Sequence, residues 1–219
     1  MADLPERIEG QGVLLRRWRI SDAEHLGEAI TESADHLRPW MAWMADEPQT
    51  LAQRRELLAR WEREWDEAGD AHYALVANER VAGSCGLHRR LGFDALEIGF
   101  WVHAGFVRCG LATEAAALLT AAAFALPEIE HVEIHHDKAN VASSGVPRGL
   151  GYGLVCEQRD PPTVPADTGI ECVRRIDGGE WITRSDALHE RPWPQLRYES
   201  SNPAASSSLP GIRCPYRSS

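Results

Sequence analysis

The sequence predicts an α/β (α+β) domain in which one mixed sheet carries helices on its faces. Three observations predict it. Two β-prone runs, 73–76 and 81–88, are separated by a polar turn and are typical of a hairpin. An Ala- and Leu-rich run, 112–126, has Glu114 as its only charged residue and is followed by Pro127, which predicts a buried helix. A third strand, 96–102, enters a glycine-bearing loop that leads into this helix.

The remaining elements follow from local signals along the chain. Ser21 and Glu24 have the spacing of a capping box, which predicts a helix start. Thr50 opens a longer helix whose apolar residues recur at helical spacing, and Gly69 is a suitable stop. Gly151 ends a shorter helix. The predicted strands are 13–18, 73–76, 81–88, 96–102, 131–136, 152–157 and 170–176, and the predicted helices are 21–30, 50–69, 112–126 and 141–150.

Composition and charge exclude several classes of protein. With 43% hydrophobic and 26% charged residues in 219, the chain has the composition of a globular protein rather than of a fibrous or disordered one. Its most apolar run, 112–126, is shorter than the roughly 20 residues that cross a bilayer, so no membrane association is expected. A net charge of −10 argues against a nucleic-acid partner and suits a cationic or amine partner.

The domain organisation is predicted from a shift in composition near the C-terminal end. We expect one domain over residues 1–189 and a disordered tail over 190–219, because the tail is rich in Ser and Pro and poor in apolar residues. The five cysteines are widely spaced and include no CxxC pair, which predicts reduced thiols in a cytoplasmic protein.

The most informative stretch runs from Glu97 to Glu114. Here a strand leads through a loop with small residues at Gly110 and Ala112 into a helix, so that successive backbone N–H groups of 109–113 can face one anion. The helix dipole adds to that attraction. A tight strand-to-helix turn without a ligand is the alternative interpretation.

The amino-acid sequences of this stretch and of its neighbouring segments make the interpretation more specific. The strings "IGFWV", "GLATEA" and "NVASSGVPRGLGY", with "HLRPWMAW" and "AGSCGLH" upstream, resemble the GNAT superfamily of acyl-CoA-dependent N-acyltransferases, and within it the RimJ/RimL-type branch. The resemblance covers about residues 12–181. It implies a mostly antiparallel sheet that splays between its fourth and fifth strands, with acetyl-CoA as the donor substrate and no metal.

The resemblance also implies a set of coenzyme A ligands. The family's diphosphate loop corresponds to 107–112, where Val107 replaces the usual Gln or Arg and Arg108 stands one place along. The edge of strand 100–102 would pair with the pantetheine amides, and Asn140 would bond the pantetheine arm or, alternatively, only cap a helix. The implied ligands are Phe100, Trp101, Val102, Val107, Arg108, Cys109, Gly110, Leu111, Ala112, Thr113, Asn140 and Ser143.

Acyl transfer to an amine needs a base and a proton source for the leaving thiolate. Glu97 is our candidate base, since it alternates with Gly99 and Trp101 on one face of its strand; a solvated strand-end carboxylate is equally compatible. His88 ends the preceding strand and is a candidate to share the proton path, or is an ordinary hydrogen-bonded histidine. Many GNAT enzymes place an acidic Tyr seven residues after the loop Asn, but Pro147 stands there, so Ser143 is the candidate acid.

Trp40 and Trp43 are expected to line the acceptor site, where aromatic faces suit a cationic amine; two core tryptophans are the alternative. His131, Glu133 and His135 share a strand face, but a metal site there is disfavoured for lack of a fourth ligand. The sequence therefore predicts a cytoplasmic N-acetyltransferase acting directly on a primary amine, with a protein N-terminus favoured by the branch resemblance. Acetylation of a small-molecule amine and a non-catalytic acyl-CoA-binding protein are the alternatives, and a homodimer is left open.

Overall fold

The computed structural model describes residues 4–189, which form a sheet with helices on both faces. Its strands are β1 (Arg7–Glu9), β2 (Leu14–Arg17), β3 (Ala71–Ala77), β4 (Arg80–His88), β5 (Ala95–Val102), β6 (His131–Asp137), β7 (Gly153–Arg159) and β8 (Ile170–Asp177). Its α-helices are α1 (Ala23–Glu32), α2 (Ala34–Leu37), α3 (Leu51–Asp66), α4 (Leu111–Phe124), α5 (Val141–Leu150) and α6 (Gly178–His189). Short 3₁₀ turns lie at Ile20–Asp22, Ala42–Asp46 and Ala104–Phe106.

The eight strands form one sheet in the order β1-β2-β3-β4-β5-β6-β8-β7. Neighbouring strands run antiparallel except β5 and β6, which are parallel. These two strands pair only from Ala95↔His131 to Glu97↔Glu133, so the rest of β5 diverges from β6. The predicted fold is confirmed, including the splay, because β5 and β6 are the fourth and fifth of the predicted strands.

The predicted hairpin is β3 and β4. Its turn residues Asn78 and Glu79 have φ of 50° and 61°, the left-handed pair that a two-residue hairpin turn needs to match the strand twist. The hairpin fixes the register of the strands that follow, with His72 opposite Gly86 and, on the next strand, His88 opposite Glu97.

Two apolar clusters lie on opposite faces of the sheet. One joins β3, β4 and β5 to α4 and α5, and includes Leu96 and Ile98. The other joins the opposite face to α1 and α3, and includes Leu58 and Trp101. Side chains of β5 alternate between the two clusters, so this strand lies between both helical layers at the point where the sheet splays.

Local signals predicted some helix starts and not others. Thr50 and Gln53 form the capping box of α3, as their positions suggest. The expected capping box at Ser21 does not form, because the Asp22 carboxylate accepts the Arg19 N–H at 2.9 Å and pairs with Arg16 at 2.7 Å, and α1 begins at Ala23. β1, α2 and α6 were not predicted.

The expected tail, 190–219, lies outside the described residues, so the boundary at 189 stays a prediction. Over the part that is described, none of the helices has the length and apolar character that spanning a membrane requires.

Candidate active site

A cavity of about 530 Å³ lies where β5 and β6 diverge. Strands β4 and β5, the segment between α2 and α3, and the β6–α5 region line it. It brings together these residues singled out from the sequence: Trp40, Trp43, His88, Glu97, Phe100, Trp101, Asn140 and Ser143. The others, Val102 and 107–113, lie at the end of β5 and in the loop that opens α4, outside the cavity lining.

Two glycines make room in the cavity. Gly86 and Gly99 are paired across β4 and β5, and both line the cavity. A Cβ added at Gly99 would lie 2.9 Å from Nε2 of His88, and one added at Gly86 would lie 2.8 Å from the Ala71 carbonyl oxygen. We call Gly86, His88, Glu97 and Gly99 the cavity floor. A side chain at Gly99 would displace the His88 ring, and one at Gly86 would collide with the Ala71 backbone.

The loop before α4 has the geometry of an anion site. Arg108 has φ of 61° and Gly110, the residue that caps α4, has φ of 78°. These left-handed residues turn the chain so that the first N–H groups of α4, which have no partner inside the helix, face outward together. Arg108 is exposed beside them and adds a positive charge. The loop therefore fits a phosphate group, held mainly by backbone.

A buried carboxylate in the first turn of α4 is compatible with such an anion. Glu114 accepts the Gly12 N–H at 2.9 Å and is 3% exposed. Burial raises the pKa of Glu114 above its ordinary value, against the opposing effect of hydrogen bonds from Gly12 and Gln11. The raised pKa favours the neutral acid and so reduces repulsion of an anion at the helix start.

At the start of α5 the side-chain oxygen of Asn140 accepts the Ser143 N–H at 3.0 Å. This is the capping role that the sequence left as an alternative for Asn140. The bond uses only the amide oxygen, and the Asn140 NH₂ group remains a donor on the cavity lining. Ser143 lies in the first turn of α5 and lines the same part of the cavity.

Glu97 and His88 lie side by side on the cavity floor. They are directly opposite in the antiparallel register of β4 and β5, so their side chains share a face. The Glu97 side chain is 12% exposed and pairs with Nε of Arg90 at 3.3 Å. The floor therefore carries two groups able to accept a proton.

A third group, Asp70, directly precedes β3 and was not among the residues predicted from the sequence. Its Oδ2 lies 2.7 Å from Nδ1 of His88, and its Oδ1 accepts the Arg89 N–H at 2.8 Å. Burial acts to raise the pKa of Asp70, but the hydrogen bonds from Arg89 and His88 and the charge of His88 outweigh it and hold that pKa below its usual value. No motif marks Asp70, since only the pairing of β3 with β4 brings it to His88.

Three tryptophans, Trp40, Trp43 and Trp101, also line the cavity, and we call them the aromatic wall. Trp43 packs on Trp101 with ring centroids 6.1 Å apart. A buried ion pair holds the segment that carries Trp43, because both Glu47 oxygens accept from Arg54 of α3 at 2.8 Å. Burial acts to raise the Glu47 pKa, but hydrogen bonds from Arg54 and the Gln49 N–H, with the Arg54 charge, hold it below its ordinary value.

Among the described residues that line the cavity, the one thiol is not activated. Cys85 lines it but is fully buried, and burial raises the pKa of its thiol. Cys156 and Cys172 are free as well. Cys214 lies outside the described residues, so the expectation of reduced thiols throughout stays a prediction.

The histidines of β6 belong to an ion-pair cluster. One oxygen of Glu133 accepts from Arg175 at 2.8 Å, and the other lies 2.7 Å from Nε2 of His135. Both carboxylate oxygens therefore have protein partners. Within residues 4–189, the one group of three metal-capable side chains with atoms close together is Asp70, His72 and His88.

Comparison with known proteins identifies the class. Residues 13–153, more than half of the chain, match the family described as "Acetyltransferase (GNAT) domain". The chain belongs to this family and is an acetyltransferase, which confirms the resemblance seen in the sequence.

Its relatives are of the RimJ/RimL type. The Bacillus subtilis protein YdaF, provisionally named a ribosomal N-acetyltransferase, is 27% identical over 142 residues, which cover 64% of this chain and 77% of YdaF. A structure of RimL, the ribosomal L7/L12 α-N-protein acetyltransferase, in complex with coenzyme A superposes with a TM-score of 0.71 at 15% identity, covering 80% of this chain and 97% of that one. Mycobacterium smegmatis RimJ in complex with CoA-disulfide gives 0.71 at 18% identity, covering 83% and 91%. The two structures share the fold.

Proposed function

We propose that this acetyltransferase transfers the acetyl group of acetyl-CoA directly to a primary amine, and that the amine is the N-terminus of a protein. One observation carries the proposal: a single cavity at the splay of β5 and β6 is lined both by Asn140 and Ser143, at the start of α5, and by the aromatic wall. A donor held at the loop and an acceptor held at the wall would meet above the cavity floor. The names of RimL and YdaF support a protein N-terminus as the acceptor.

The donor half of the site consists of the loop 107–113 with Asn140 and Ser143. Its residues fit coenzyme A in chemistry as well as in position. The left-handed residues Arg108 and Gly110 present backbone N–H groups to the diphosphate. The part of β5 beyond Glu97 lacks β6 as a partner, so its backbone is free to pair with the pantetheine amides as an added strand would. Because most of this grip is backbone, Val107 in place of Gln or Arg is compatible with it.

The acceptor half consists of the aromatic wall, Asp70 and the cavity floor. Glu97 attracts an ammonium group to the floor, and the faces of Trp40 and Trp43 stabilise its charge on the way. Glu97 and His88 are the groups placed to deprotonate the amine. The nitrogen lone pair then forms the C–N bond, the C–S bond breaks, and the sulfur leaves as thiolate near Ser143. Transfer without an acyl-enzyme is supported by the raised pKa of Cys85.

The proposal is tested by measuring thiol release from acetyl-CoA with matched acceptors. A lysine-free peptide with a free N-terminus is compared with the same peptide acetylated at its N-terminus, with an Nα-acetylated peptide that contains one lysine, and with amino sugars and polyamines. We expect release only with the free N-terminus, and a mass increase of one acetyl group on that peptide.

The other outcomes separate the alternatives. Release with polyamines or amino sugars alone would assign a small-molecule acceptor. Tight binding of acetyl-CoA by calorimetry without release for any acceptor would favour a non-catalytic acyl-CoA-binding protein.

A further inference from the structure

The Asp70 and His88 pair has a fixed geometry that distinguishes His88 from Glu97, the other group placed to deprotonate the amine. The Asp70 carboxylate can only accept hydrogen bonds, so at 2.7 Å the Nδ1 of a neutral His88 must carry the proton. Nε2 is then a lone-pair acceptor. The second Asp70 oxygen is held by the Arg89 N–H at 2.8 Å, so the carboxylate cannot rotate away without losing that bond. The pair thus sets both the tautomer and the direction of the imidazole ring.

The free nitrogen of His88 lies over the cavity floor. A Cβ at Gly99 would be 2.9 Å from Nε2, and one at Gly86 would be 3.5 Å from it. The imidazole therefore lies directly over these two glycines, and its orientation depends on the absence of a side chain at both positions. The His88 side chain is 13% exposed, which limits competition from bulk water without closing the nitrogen off.

A second histidine supports the ring from one side. His72 packs edge-on against His88 with centroids 5.3 Å apart and is stacked on Trp61 at 4.4 Å. Burial, together with the charge of His88, lowers the pKa of His72 to about 3, so His72 is neutral at physiological pH. A neutral neighbour adds no charge to oppose protonation of His88, and the packing restricts the ring to the orientation that Asp70 sets.

We propose that His88 is the catalytic base and that Asp70 is its positioning residue. The inference rests on the proposed function and divides the roles on the cavity floor. The ammonium of the acceptor gives its proton to Nε2 of His88, and the Asp70 carboxylate stabilises the imidazolium that forms. The neutral amine then attacks the thioester carbon to form the C–N bond, the C–S bond breaks, and the proton that the nitrogen loses on becoming an amide passes through Ser143 or solvent to the thiolate. Glu97 attracts the ammonium and is not the final proton acceptor.

The titratable and charged groups around His88 come from several elements. Asp70 and His72 contact His88 directly, Glu97 lies opposite it on β5 and pairs with Arg90, and Arg60 and Glu64 of α3 act on His72 behind it. Asp70 makes the direct contact with His88 and Arg90 is paired with Glu97, so the sharpest perturbation is an uncharged replacement of Asp70. An amide at this position can still accept the Arg89 N–H, but it offers N–H instead of a carboxylate to Nδ1 and favours the wrong tautomer.

The test is steady-state kinetics of the full chain with the acceptor found above, for Asp70→Asn, His88→Ala and the double variant. We expect kcat to fall by about 100-fold in each single variant while KM for acetyl-CoA stays unchanged. The double variant should be no slower than His88→Ala, because Asp70 acts only through His88. The acidic limb of the kcat/KM profile should vanish in His88→Ala, and Asp70→Glu should recover part of kcat.

A matched control is Glu32→Gln, which changes another carboxylate paired with a histidine, His103, at 2.9 Å and outside the cavity lining. We expect this variant to keep wild-type kcat. Losses that simply add in the double variant, or an acidic limb that persists in His88→Ala, would overturn the assignment. If the Asp70 and His88 variants are as active as the wild type, His88 is not the base, but the proposed function still holds. No activity in the wild type would instead refute the proposed function.

Discussion

The donor half and the acceptor half of this site are built in different ways. In the donor half a continuous segment supplies the grip, through backbone groups positioned by Arg108 and Gly110 at the start of α4. In the acceptor half, side chains from separate segments converge: the pairing of β3 with β4 brings Asp70 to His88, and the Glu47 and Arg54 pair ties the segment of Trp43 to α3. A site made of backbone depends on local conformation, whereas a site made of side chains depends on the whole fold. Substitutions in the two halves should therefore fail in different ways.

The largest effect is expected at Gly110. Gly110→Val places a β-branched residue at φ of 78°, which that residue tolerates poorly. The loop must then rearrange and misdirect the N–H groups at the start of α4. Losing two hydrogen bonds to charged phosphate, each about 1.5–3 kcal/mol, should weaken coenzyme A binding by roughly 100-fold or more in calorimetry.

Two variants control this comparison. Gly92→Val also puts a β-branched residue at positive φ, 123°, but in the loop between β4 and β5, and it should leave coenzyme A binding intact. Arg108→Ala removes a side chain from the phosphate loop itself and should weaken binding less than Gly110→Val. If Arg108→Ala weakens coenzyme A binding more than Gly110→Val does, the diphosphate is held mainly by side chains.

The second largest effect is expected at the ion pair that holds the aromatic wall. Glu47 and Arg54 have side chains only 8% and 4% exposed. Glu47→Ala leaves the Arg54 charge buried without its partner, which costs about 3–5 kcal/mol in the free energy of unfolding. Urea denaturation measures this loss.

The exposed pair of Arg7 and Glu9, at 59% and 70%, provides the control, since Glu9→Ala should change stability by less than about 1 kcal/mol. Replacing Glu47 and Arg54 together by apolar residues should restore much of the stability lost in Glu47→Ala. Equal small losses at both pairs would show that the wall does not depend on its buried charges.

The donor half and the acceptor half also differ in how much of them could be predicted from the sequence. The strand 96–102, the loop and α4 were predicted, because Gly110, the alternating strand pattern and the apolar helix are local signals. The order in which β8 inserts between β6 and β7 was not predicted, and neither was β1 with its three residues. Asp70 was missed because nothing in its neighbourhood distinguishes it from a surface loop residue. Its partner is 18 positions away and becomes a neighbour only through the register of β3 and β4.

A smaller effect is expected at the aromatic wall itself. Trp43→Ala removes the contact with Trp101 at 6.1 Å and one aromatic face for the amine. The two contributions together, about 1–3 kcal/mol, should raise KM for the acceptor roughly tenfold. Coenzyme A affinity should not change, and Trp43→Phe should restore most of the loss.

The control is Trp65→Ala. Trp65 is on α3, packs on Tyr73 at 4.9 Å, and is not among the residues that line the cavity. This variant should lose stability without a change in acceptor KM. A similar rise in KM for both tryptophan variants would show that Trp43→Ala acts by general destabilisation and not by removing a contact with the amine.

The smallest effect is expected at Ser143, although it is the candidate acid. An alkyl thiol such as cysteine has a pKa of about 8.5, so a thiolate leaves near neutral pH with little help from an acid. Ser143→Ala should therefore lower kcat by less than about tenfold, well short of the roughly 100-fold or more that a required acid contributes. The neighbouring Ser144→Ala, in the same turn of α5, should leave kcat unchanged, and Ser143→Thr should restore it. A loss above 100-fold in Ser143→Ala alone would show that the donor half also depends on a single side chain, and the contrast between the two halves would no longer hold.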